Sequence, residues 1–134
     1  MFDLSKNDPA KLSEAGFTFD LELPNGTVTE AKITVRGNSS PAVKNYGRRK
    51  YQEFKQREAA AKRRGKEPED LTLEEAEELA VEAAVVRTIG WTGIAEEGKE
   101  VVFSPEEATR LFTKYPFIRS QVTEKADDIN NFFR

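Results

Sequence analysis

Apolar and polar residues alternate from Phe17 to Leu23, with Phe17, Phe19, Leu21 and Leu23 on one side and Thr18, Asp20 and Glu22 on the other. A period of two is that of a half-buried strand. Pro24-Asn25-Gly26 supplies turn chemistry, and alternation resumes from Thr27 to Arg36 through Thr29, Ala31, Ile33 and Val35, so the pattern predicts a β-hairpin. Ahead of it, Met1 to Ala15 is sparse in apolar residues and carries an Asn-Asp-Pro turn signal, which fits a lead-in with a short helical turn.

Beyond the hairpin the period changes. Ser40 is placed to cap a helix and Pro41 to occupy its first position, and Val43, Gly47, Tyr51, Phe54 and Ala61 form a narrow apolar stripe as far as Arg64. Gly65 and Pro68 interrupt it. Thr72 and Glu75 have capping-box spacing for a second helix, with Leu73, Ala76, Leu79, Ala80, Ala83 and Val86 on one face and Val81, Val85 and Ile89 on another. Such breadth of apolar surface predicts the central helix of the fold. Gly90 should end it, with Trp91-Thr92-Gly93-Ile94 as a turn and Ala95 to Phe103 as a short irregular strand around Gly98. Ser104-Pro105-Glu106-Glu107 starts a further helix through Ala108, Leu111 and Phe112. After Pro116, Ile118, Val122, Ala126, Ile129 and Phe133 continue as a helical stripe.

Together these elements predict one α+β domain, mainly helical, in which an N-terminal β-hairpin packs on a bundle of three to four helices. Residues 1–37 are the lead-in and hairpin, 38–66 a basic helix and 67–134 the remaining helical part. A length of 134 residues is that of one domain, and nine Phe, three Tyr and one Trp are enough to anchor a core. No apolar run approaches the roughly 20 residues needed to span a bilayer, and the N-terminal residues lack the basic and apolar regions of a signal peptide, so a cytoplasmic, membrane-free protein is expected.

Composition narrows the chemistry. The sequence has no Cys and no His. It therefore lacks thiol catalysis, thiolate metal sites and the side chain most used for proton transfer near neutral pH. Ser40 and Ser104 sit at helix starts without a His partner, and no glycine loop followed by Lys-Ser or Lys-Thr is present to cradle phosphate. Glu74, Glu75, Glu77 and Glu78 splay from an exposed helix start, where the dipole favours negative charge, rather than converging as metal ligands. The expectation is a binding protein with no catalytic, cofactor or metal site.

Charge is segregated along the chain far more than its formal net value of -3 suggests. Residues 44–66 carry ten Lys or Arg against two Glu, and residues 67–82 carry eight acidic residues and no basic one. One reading is a nucleic-acid interface built from Arg48, Arg49, Lys50, Arg57, Lys62, Arg63 and Arg64 with Tyr46, Tyr51 and Phe54 for stacking. The other is a helical hairpin whose arms attract each other, and it is preferred because the neighbouring acidic block competes with phosphate for the same cations. The aromatic residues of the C-terminal half are expected to be mostly core, the remainder meeting a protein partner. The candidate contact set is Trp91, Phe103, Leu111, Phe112, Tyr115, Phe117, Ile118, Phe132 and Phe133.

The run Val85-Val86-Arg87-Thr88-Ile89-Gly90-Trp91-Thr92-Gly93-Ile94, then Val102-Phe103-Ser104-Pro105-Glu106 with Leu111-Phe112, resembles the pattern of phage tail assembly chaperones of the long-tailed siphophage type. Phe117-Ile118-Arg119-Ser120-Gln121-Val122 and Asn131-Phe132 follow in the order of that family, so the resemblance covers roughly Ala80 to Phe133. It implies a protein that binds the tape measure protein, keeps it soluble and helps recruit tail tube protein subunits during virion assembly. It also implies absence from the mature virion and a longer frameshifted second product. Coating a long client would suit a homo-oligomer. The family pattern assigns no residue to client binding. A structural tail or connector protein is the remaining alternative of similar size.

Overall fold

The computed structural model describes residues 1–133. A 3-10 turn at Leu4–Asn7 leads into α1 (Pro9–Ala15), whose N-cap Asp8 accepts a hydrogen bond from the Ala10 amide. Strands β1 (Phe17–Glu22) and β2 (Val28–Val35) pair antiparallel, and Gly26 at φ 87° makes the turn between them. The long α2 (Pro41–Arg63) and α3 (Leu73–Arg87) follow. Next come β3 (Thr88–Thr92), the two-residue strands β4 (Ala95–Glu96) and β5 (Lys99–Glu100), α4 (Pro105–Lys114) and α5 (Pro116–Asp127). A 3-10 turn at Ile129–Phe132 closes the described chain. The architecture is α+β and mainly helical, as the residue pattern predicts.

The hairpin is part of a larger sheet. β3 pairs antiparallel with β2, giving the order β1-β2-β3, so Thr88–Thr92 is a strand and not a helix end followed by a turn. Helix α3 stops at Arg87, three residues before Gly90. Local pattern conceals this because the partner strand is remote in sequence: Val35 pairs with Thr88, and Thr34 with Gly90. That register leaves Ile89 as an extra residue, a bulge that explains why Thr88 and Trp91, three positions apart, both face the core. The tiny β4–β5 hairpin, turning at Glu97 and Gly98 with positive φ, replaces the irregular strand expected over Ala95 to Phe103.

One core joins the sheet to α3, α4 and α5. Ile33 and Val35 are fully buried on the inner face of β2, with Phe19, Leu21 and Trp91 from the flanking strands. Ala108, Leu111 and Phe112 meet them from α4, and Ile118, Val122 and Ala126 from α5. Complete burial of a side chain such as Phe112 stabilises the fold by about 2–3 kcal/mol. Helix α3 is central, packing on α2, α4 and α5, but its buried face is Val81 and Ala84 rather than the expected Leu73–Val86 stripe. Its first turn lies uncovered, with Leu73 exposed.

Helix α2 packs chiefly on α3. Only Val43 and Ala61 of its expected stripe are buried, while Tyr51 and Phe54 lie exposed and Gly47 faces open space. Ser40 occupies the N-cap position beside Pro41, yet its hydroxyl caps nothing and is buried without a hydrogen-bond partner among the described residues. At α3 both halves of the Thr72–Glu75 capping box form. At α4 the Ser104 hydroxyl accepts from the Glu107 amide, which is one half of the expected box. The stripe of α5 is buried through Ala126. There the helix ends, and the 3-10 turn buries Phe132 against Phe17, leaving Ile129 and Phe133 exposed.

Candidate functional site

The residue pattern of α4 puts Leu111 and Tyr115 one turn apart, and Pro116, which cannot continue α4, restarts the chain as α5. This corner aims Tyr115 and Phe117 toward the sheet with their rings edge to face, centroids 6.5 Å apart. On the sheet side, Leu21 of β1 and Ala31 of β2 lie on the alternating inner face. Between corner and sheet runs a groove of about 280 Å³, lined mostly by apolar surface from Leu21, Ala31, Ile94, Leu111, Tyr115 and Phe117. Gly93 lets the chain enter it: at φ 76° it passes so close to β2 that a Cβ would sit 2.7 Å from the Glu30 carbonyl oxygen.

A charged rim borders the groove at Glu96. Its carboxylate accepts from the Tyr115 hydroxyl at 2.8 Å, from Arg110 Nη1 at 2.7 Å and from Lys114 Nζ at 3.3 Å. The Tyr115 hydrogen bond, then the Arg110 bond and lesser help from Lys114, hold the carboxyl down at about 2, against an ordinary 4.5. Arg110 also grips Glu107 at 2.6 Å, and Lys114 lies 5.5 Å from the Tyr115 ring centroid. The rim thus locks the β4–β5 hairpin to the corner, so the groove wall is held by ion pairs and not by apolar packing alone.

Leu111, Tyr115, Phe117 and Ile118 of the candidate contact set come together in this groove. Trp91, Phe103 and Phe112 form an aromatic cluster, with centroids 5.0 Å apart for Trp91–Phe103 and 6.2 Å for Trp91–Phe112. Phe103 is half-buried there. The Trp91 indole donates to the Val101 carbonyl at 2.8 Å, fixing the loop after β5. Phe132 packs on Phe17 instead, and Phe133 is exposed. Trp91, Leu111, Phe112, Ile118 and Phe132 are buried, and serve the core. The groove also uses Leu21, Ala31, Ile94 and Glu96, which the pattern of the C-terminal half did not single out; the inward register of Leu21 and Ala31 was their only signal.

The basic helix divides differently. Lys50 Nζ lies 2.7 Å from Glu82, Arg49 lies 4.0 Å from the same carboxylate, and Arg57 is 3.2 Å from Glu75. Its hydrogen bond to Glu82 raises the Lys50 ammonium above its ordinary value, and the Thr72 amide followed by Arg57 lowers Glu75. The two arms do attract each other. Arg48, Lys62, Arg63 and Arg64 form no ion pair among the described residues, Arg48 donating instead to Asn45. Among the described residues no three His, Cys, Asp or Glu converge as a metal site, and no helix is long and apolar enough to cross a membrane.

No curated protein and no solved structure matches the chain. A protein-family model described as YdaY prophage protein matches residues 42–134, a segment that runs from the first turn of α2 through α3, β3 and the whole α4–α5 corner. The protein is therefore phage-derived, and it belongs to the YdaY prophage protein family.

Proposed function

We propose that this protein is a tail assembly chaperone of a long-tailed phage, binding the tape measure protein and aiding recruitment of tail tube subunits without chemistry of its own. The observation that carries the reading is the apolar groove between the sheet and the α4–α5 corner. An open channel walled by Leu21, Ala31, Ile94, Leu111, Tyr115 and Phe117 suits the apolar side of an extended or helical client segment. The ion-paired rim around Glu96 keeps the same face soluble. Two further facts support it: membership of a prophage protein family, and the Gly90-Trp91-Thr92-Gly93 and Ser104-Pro105-Glu106 motifs that resemble those of tail assembly chaperones.

The groove motifs are structural before they are functional. Trp91 is the aromatic centre behind the wall, Gly93 brings the chain over β2, and Ser104 caps the helix that presents Leu111 and Tyr115. A nucleic-acid interface on α2 is less well supported, since Arg49, Lys50 and Arg57 are already engaged by Glu82 and Glu75.

Co-expression with the tape measure protein of the same prophage tests the proposal. The client should become more soluble and co-purify, and Phe117→Asp, placing a charge in the groove, should abolish both effects while the variant keeps its helical circular dichroism. No gain in solubility and no co-purification with the unaltered chain would overturn it. Mass spectrometry of purified particles should find the protein missing; stoichiometric presence would instead identify a structural tail component.

A further inference from the structure

We propose that the client segment is amphipathic and cationic at one end: its apolar residues fill the groove between the sheet and the α4–α5 corner, and a flanking Lys or Arg enters an acidic basin beside it. This rests on the groove reading above and adds the charge and side-chain class of the partner.

The concave surface does not stop at the groove. Glu96 also lines a second basin of about 500 Å³, walled by the β4–β5 hairpin, Val101 and Val102 after it, and Glu107 and Arg110 of α4. The two meet at its side chain. The wall of the basin is fixed in place, because the Trp91 indole holds the Val101 carbonyl at 2.8 Å and the Val101 amide donates to the Ile94 carbonyl at 2.9 Å. A preformed surface of this kind costs little ordering when a partner docks.

Charge identifies that partner. Among the described residues Glu96 is the one charged member of the groove lining, and the basin carries Glu96, Glu97, Glu100 and Glu107 against Lys99 and Arg110. Arg110 bonds both Glu96 and Glu107, and Lys114 bonds Glu96 as well, so those cations are already committed. Glu97 and Glu100 form no ion pair among the described residues and face Lys99 alone. Glu106, exposed in the first turn of α4, adds to the negative surplus. An acidic flank on the client would meet repulsion here, a basic one attraction.

The basin also has apolar surface. Val102 is 72% exposed, with half-buried Val101 beside it. Apolar surface next to free carboxylates matches the methylene stem and charged head of Lys or Arg. Exposed ion pairs are individually weak, so the basin selects and orients the client while the groove supplies most of the affinity.

Calorimetric titration of two synthetic peptides into the full chain is the test. Both carry the same leucine stripe at helical spacing, one flanked by three lysines and the other by three glutamates. At low salt the lysine peptide should bind about tenfold more tightly, and the difference should vanish as salt rises. Glu97→Lys/Glu100→Lys should reverse the preference with unchanged circular dichroism, and Phe117→Asp should weaken both peptides. Glu74→Lys/Glu77→Lys/Glu78→Lys, at the acidic start of α3, should leave the preference intact. Equal affinity for the two peptides overturns the inference, and so does a preference that survives the hairpin variant but not the α3 variant. Binding without a charge preference strikes this inference alone, whereas a chain that binds neither peptide strikes the groove reading with it.

Discussion

The Tyr115 hydroxyl donates to Glu96 across 2.8 Å, joining the α4–α5 corner to a hairpin that lies 19 residues earlier in the chain. With Arg110 and Lys114 on the same carboxylate, that bond makes the groove wall sensitive to acid. Because the folded carboxyl is held at about 2, below its ordinary 4.5, its contribution to stability is complete above 4.5 and is lost as pH falls toward 2. Urea midpoints measured across that range should fall more steeply for the wild type than for Glu96→Gln. Tyr115→Phe, which removes the largest cause, should raise the Glu96 titration seen by NMR.

The hydrogen bond from the Trp91 indole to the Val101 carbonyl leads to a second expectation. Trp91→Phe keeps most of the buried ring but deprives a partly buried carbonyl of its donor, so it should cost about 1–3 kcal/mol in denaturant unfolding. Hydrogen exchange should quicken after β5.

Gly93 makes a third. Alanine there meets both an unfavourable positive φ and the Glu30 carbonyl at 2.7 Å, neither of which can move without disturbing β2. A loss of about 1–3 kcal/mol is expected. Gly90→Ala, where a Cβ meets open space, is the control and should cost far less.

Phenylalanines separate core from arm. Phe112→Ala should destabilise by about 3–5 kcal/mol, since that ring is fully buried between α4 and the sheet. Phe54→Ala, on the exposed arm, should stay within about 0.5 kcal/mol at high salt. A comparable cost at both positions would contradict the division between body and arm.

Much of the fold was legible where neighbours in sequence are neighbours in space. Alternation from Phe17 to Leu21 and from Thr29 to Val35 marks the inner sheet face, and Thr72 with Glu75 marks the start of α3. Strand β3 was hidden. Thr88–Thr92 continues an apolar helix and contains Gly90, and nothing local shows that Val35 and Thr34 are its partners. The same limit governed the groove. Leu111, Tyr115, Phe117 and Ile118 could be grouped as a candidate contact set, whereas Leu21, Ala31 and Glu96 join them only through tertiary packing. Tyr51 and Phe54 repeat at helical spacing like core residues, yet they lie exposed because α2 packs chiefly on α3.

The remote pairing of β2 with β3 has a consequence for synthesis. At a ribosomal rate of about 5–20 residues per second, several seconds separate completion of Val35 from that of Thr88. Throughout that interval the nascent hairpin carries one strand with an unfilled row of amides and carbonyls beside an apolar face. The interval is when a holdase, or premature pairing between chains on neighbouring ribosomes, decides the yield of folded protein. Slowing translation between those two strands should therefore lower that yield more than slowing it after Trp91.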